Sequence, residues 1–172
     1  EAEAKAAARW VIWEASQALG IRPASIHAFY KAIGRGEVPG RFTVPAINLR
    51  MLVYDSARAV FRAARRIDAG ALIFEIARSE IGYTDQRPAE YATAVLAAAI
   101  REGHRGPVFI QGDHFQTSGK KYAAAPEAEL KAIRDLILDF GSGSSVMLAL
   151  AAYNLGPAKV IQAIHRVKDP IR

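Results

Sequence analysis

Three short apolar runs separated by helical periods fix most of what this chain can fold into. "FTVPAINLR" (42–50), "GALIFEIAR" (70–78) and "GPVFIQGDH" (106–114) have strand length and are rich in apolar or β-branched residues. Between the first two, Val53, Ala57, Val60, Ala64 and Ile67 recur at helical spacing within Leu52 to Ile67. Between the second and third, Pro88 opens a helix to Glu102 that buries Ala92, Val95, Leu96, Ala99 and Ile100, and Gly103 ends it. A further helix starts at Pro126 and runs through Leu138, with Leu130, Ile133 and Ile137 in register. Alternation of near-continuous apolar strands with helices predicts right-handed βαβ units around a parallel sheet. The expected fold class is α/β, with about three parallel strands forming part of a TIM-barrel-like arrangement. A closed (β/α)₈ barrel needs eight strands and about 250 residues, so these units make roughly three-eighths of one.

The flanks are helical. Residues 5–19 read as a helix burying Trp10, Ile12, Trp13 and Leu19, with Gly20 as its stop, and a second helical piece spans about 24–33. "SEIGYTDQRP" reads as a turn, and Pro45 restricts the first strand to a rim or edge. After Phe140 the alternation stops. "GSGSS" is a joint by composition, and "VMLALAAYNLGPAKVIQAIHRV" reads as a C-terminal helical hairpin broken at Gly156-Pro157. The expected division is residues 1–140, an α/β region, and 141–172, a helical tail.

Composition narrows the function classes. No apolar run approaches the roughly 18–20 residues that cross a bilayer, and the opening "EAEAKAAARW" has no apolar core of a signal peptide, so a cytoplasmic location is expected. The chain has no cysteine, which excludes disulfides and thiolate zinc sites and leaves His, Asp and Glu as the metal ligands. A net charge of +6 favours anionic partners. Arg58, Arg62, Arg65 and Arg66 form a stripe that reads as the solvated face of a helix, and no aromatic interleaving accompanies it, so nucleic acid is not an expected partner. Open edge strands make self-association expected.

In parallel sheets, reactive groups collect at the carboxyl ends of the strands. Asp113-His114 lies at such an end: an imidazole can ligate a metal and a neighbouring carboxylate can move a proton. Asn48, at the end of the first strand, and Glu75 or Ser79, near the end of the second, would face the same mouth. The plainer alternative is a capping Asp followed by a surface His. His27, His104 and His165 read as structural or exposed, and no H-E-x-x-H spacing, Ser/His/Asp arrangement or phosphate-cradling loop can be assembled.

Together, "FTVPAINLR", "GALIFEIARSEIGYTDQRPAEYA", "GPVFIQGDHFQ" and "KKYAAAPEAELKAIRDLI" resemble the class II, zinc-dependent sugar-bisphosphate aldolases over about residues 7–137. The resemblance implies a lyase that makes or cleaves a carbon–carbon bond in a phosphorylated ketose, with Zn2+ as cofactor. It implies Asp113 as the acid/base carboxylate, His114 as a zinc ligand, and Asn48 and Ser79 as substrate contacts. Gln111-Gly112-Asp113-His114 departs from the family's usual H-x-D-H, and the family's remaining zinc ligands and phosphate site belong to later strands that do not follow here.

The tail carries a second resemblance. Ala149 to Val160 matches the A-x-A-A-Y-N-x-G-P-x-x-V signature near the end of lytic transglycosylase domains. This implies peptidoglycan as an alternative partner, Tyr153 and Asn154 as glycan-binding residues, and a cell-envelope location; the bland reading of Asn154 to Pro157 is a helix cap. That family's catalytic Glu-Ser pair is absent, since Ser79 and Glu80 stand in the reverse order. The helix from Ala125 to Leu138 fits both families, which makes a chimera with its crossover there the expectation, and a folded but inactive α/β hybrid a further alternative.

Overall fold

A computed structural model describes residues 1–38 and 42–141, so the expected hairpin at 141–172 lies almost wholly outside the described residues. In chain order the elements are α1 (Ala2–Ala18), β1 (Ile21–Ala24), α2 (His27–Gly34), β2 (Ala46–Asn48), α3 (Val53–Arg66), β3 (Ile73–Ala77), α4 (Arg78–Thr84), α5 (Pro88–Arg101), β4 (Gly106–Asp113), α6 (Gly119–Ala124) and α7 (Pro126–Gly141). The fold is mixed α/β, with seven helices and one parallel sheet of four strands among the described residues.

The sheet order is β1-β4-β3-β2. β2, β3 and β4 lie side by side as successive βαβ units should. β1, first in the chain, pairs with the far side of β4, through Ile21 to Gly106 and Ala24 to Phe109. This fourth strand corrects the expectation of about three. "IRPA" is short and contains Pro23, which argues against a strand except at an edge, and β1 is an edge.

Side chains alternate across a strand, and parallel register keeps paired residues on one face. One face therefore carries Ile47, Phe74, Ile76, Val108 and Ile110, which meet Val53, Ala57 and Phe61 of α3 and Val95, Leu96 and Ala99 of α5 in the core. Trp13 of α1 packs against the same cluster. The other face is divided. Its lower part is apolar, with the Phe109 ring 5.8 Å from Phe29 of α2 and Phe29 in turn 6.1 Å from Phe42. Its upper part is polar.

The arginine stripe of α3 does more than face water. Arg58 Nε and Arg62 Nη1 each donate to Glu102 Oε1 at 2.8 Å, and Arg65 Nη1 donates to the Glu102 carbonyl at 3.0 Å. Three guanidiniums thus tie α3 to the end of α5. No helix among the described residues is long and apolar enough to cross a membrane.

Candidate functional site

The polar part of the sheet lies at its carboxyl end. Register aligns Asn48 with Glu75 and Glu75 with Gln111, while Asp113 stands two residues beyond Gln111 and opposite Ala77. All four side chains therefore belong to the face turned away from α3 and α5.

Asn48 joins the strand ends. Its Nδ2 donates to Glu80 Oε2 at 2.9 Å and to Asp113 Oδ2 at 3.0 Å. Glu80 also accepts the Ala77 backbone N–H at 2.8 Å and Arg50 Nε at 2.5 Å. The Ala77 bond is how a glutamate in the first turn satisfies an otherwise orphaned N–H at the start of a helix. Burial pushes the Glu80 carboxyl up, but Asn48, the Ala77 N–H and Arg50 together outweigh it and hold the group below its ordinary value. Glu80 is a fixed anion.

Glu75 is placed differently. It is 8% exposed, and its carboxyl meets the side-chain amide of Gln111, itself 7% exposed. Burial raises its pKa; the Gln111 amide and His114 work against this, while Asp113 and Glu80 add to it. Tyr91 of α5 donates its hydroxyl to the Glu75 carbonyl at 2.7 Å, which fixes the backbone beneath.

His114 follows with a positive φ of 49°, a left-handed turn that histidine tolerates better than most residues. Its Nε2 lies 3.2 Å from Asp113 Oδ1, and its side chain is 79% exposed. The loop beyond it is held from two sides. The Phe115 ring packs so closely over Gly112 that an added Cβ there would sit 2.7 Å from it. Arg78 of α4 grips Glu129 of α7 through Nη1 at 2.5 Å and Nη2 at 3.1 Å, while Glu129 accepts the Ser118 N–H and Arg78 donates to the Gln116 carbonyl.

Of the residues expected from sequence, Asn48, Asp113 and His114 come together, and Glu75 stands in the same row. Ser79 is exposed on the first turn of α4, while its neighbour Glu80 turns inward to the cluster. Tyr153 and Asn154 lie outside the described residues. Glu80 and Gln111 are the side chains that sequence reasoning missed. A glutamate three residues after a strand end and just before Ile81 is a helix-start signal, hidden when "SEIGYTDQRP" is read as a turn.

Asp113 is 28% exposed at its side chain and oriented by one amide, an arrangement that suits proton exchange with a hydroxyl in the mouth. Among the described residues no group of three His, Cys, Asp or Glu side chains comes close enough to hold a metal ion. Asp113 already spends one oxygen on Asn48 and faces His114 with the other. These residues alone do not fit the three protein ligands of a catalytic zinc site. A separate cleft of about 410 Å³, lined by Phe61, Arg65, Glu102, His104 and Arg105 among others, opens at the opposite end of the strands.

No protein-family model matches this chain, and comparison with curated proteins and with solved structures finds no match either.

Proposed function

We propose that this chain is an aldolase-like lyase fragment, part of a TIM-barrel-like architecture, whose strand-end face takes a phosphorylated ketose. Asp113 is the acid/base group, Asn48 positions it and contacts substrate, Ser79 lies at the rim, and His114 would supply one ligand of a Zn2+, for which the described residues form no complete ligand set. In the cleavage direction Asp113 takes the proton of the hydroxyl β to the ketone. The carbon–carbon bond then breaks, its electron pair passes to the ketone half as an enediolate, the aldehyde half leaves, and the proton held by Asp113 returns to the carbon of the ketone half.

The observation that carries the reading is the Asn48 amide, which bridges Asp113 and Glu80 across three neighbouring segments at 3.0 and 2.9 Å. That amide donor holds the Asp113 carboxyl in one orientation. The peptidoglycan reading depends on Tyr153 and Asn154, to which the described residues add nothing.

Zinc titration by calorimetry tests the assignment of His114. The expected result is weak binding that disappears in His114→Ala and persists in His104→Ala, at the far end of the sheet. Equal zinc affinity in the wild type and His114→Ala, with aldol cleavage indifferent to Asp113→Asn, would refute the proposal.

A further inference from the structure

We infer that Glu75 is a proton-holding positioning residue: a neutral carboxylic acid beneath the Asn48–Asp113–Glu80 cluster that keeps the strand-end site at two carboxylates instead of three.

Three carboxyls converge on one end of the sheet, and their partners differ. Glu80 has a guanidinium, a backbone N–H and the Asn48 amide. Asp113 has the Asn48 amide and the His114 imidazole. Glu75 contacts the amide of Gln111, which carries no charge. It is also nearly out of water, at 8% exposure. A buried carboxylate without a cation of its own, beside two other carboxylates, is the one expected to keep its proton. The charged and titratable groups that face it are Asp113 and His114 from the end of β4, Glu80 from α4 with Arg50 attached, and Tyr91 from α5. Among the described residues, His114 and Arg50 are the cationic candidates. The first is mostly exposed and turned to Asp113, the second bound to Glu80.

The Gln111 amide can accommodate the neutral acid. Its Oε1 is buried and has no hydrogen-bond partner among the described residues, while its Nε2 faces Glu75. Amide oxygen and nitrogen exchange places by a half-turn of the side chain. A protonated Glu75 can then donate to the amide oxygen, a bond that an ionised Glu75 cannot make.

The role is electrostatic. With Glu75 neutral, a phosphorylated ligand approaches a site bearing two carboxylates; once Glu75 ionises, a third negative charge opposes it. This ligand consequence rests on the lyase reading, whereas the protonation state does not. Three measurements on the full chain, two of the protonation state and one of ligand binding, keep them apart. Infrared spectroscopy with carbon-13-labelled glutamate is expected to show a protonated carboxyl band at neutral pH in the wild type that is missing in Glu75→Gln. Absence of the band in the wild type, or its persistence in Glu75→Gln, overturns the inference. The unfolding free energy of the wild type, which needs no variant, is expected to fall as pH rises from the ordinary carboxylate range through the Glu75 titration, and a flat profile counts against it.

Calorimetric binding of fructose 1,6-bisphosphate across pH reads the role. Affinity should fall by up to about tenfold per pH unit above the Glu75 titration and lose that dependence in Glu75→Gln. A band without any binding supports the protonated Glu75 and sinks the lyase reading; binding without a band does the reverse.

Discussion

Asn48 has one amide nitrogen and uses it on two carboxylates, so it is the single side chain whose loss most disturbs the site. Asn48→Ala removes a donor from both Glu80 and Asp113, and each hydrogen bond to a charged group contributes about 1.5–3 kcal/mol. A destabilisation of that order is expected in denaturant unfolding, together with loss of the lyase activity proposed for Asp113. Asn48→Asp should cost more, because it replaces the donor by another like charge. Gly112→Ala tests a different contact. Its methyl would collide with the Phe115 ring, so the loop carrying His114 should shift, with altered backbone resonances from His114 to Gln116 and little change in β1. Asp113, His114 and Asn48 were legible in the sequence because strand ends can be located from apolar runs. Glu80 and Gln111 were not. Glu80 depends on a short helix that begins directly at a strand end, and Gln111 depends on register, which one strand alone does not reveal.

At the level of elements, α7 is latched to the rest of the sheet end by one bidentate ion pair. Arg78, then the Ser118 N–H, hold the Glu129 carboxyl down to about 2. A folded-state pKa below the unfolded one contributes stability that is fully present above the ordinary carboxylate range and is lost as pH falls through the folded value. In acid, therefore, α7 and the 114–118 loop should loosen before the core of β3 and β4, as hydrogen exchange would show. Glu129→Gln should produce the same loosening at neutral pH. The helices of this region were largely readable: α3, α5 and α7 all fall within two or three residues of their apolar periods. β1 and α4 were missed for opposite reasons. Pro23 disguised an edge strand, and Gly82 with polar neighbours disguised a helix of seven residues. In both cases tertiary position, not local propensity, decides the conformation.

Across the whole molecule, the described sheet is open, with β1 and β2 at its two edges. Met51 and Leu52, just beyond β2, are each 75% exposed. Unpaired strand edges beside exposed apolar side chains favour pairing between chains. Light scattering should accordingly show a mass that rises with protein concentration, and Met51→Lys should lower it. The α/β class followed from the alternation of strands and helices; the order β1-β4-β3-β2 did not, because nothing local says which side of β4 the first strand will join. The arginines of α3 illustrate the same limit. Their spacing marks an exposed stripe, yet the shared partner of Arg58, Arg62 and Arg65, Glu102, caps the end of a different helix.

In the proposed function Asp113, aimed by Asn48, moves the proton in a carbon–carbon lyase site. Release of triose phosphate from a ketose bisphosphate, measured with zinc present, tests it most directly. The account predicts slow release above the protein-free rate that falls to that rate in Asp113→Asn while the variant remains folded. Release that is equal in wild type and Asp113→Asn, or no release above the protein-free rate, would contradict it.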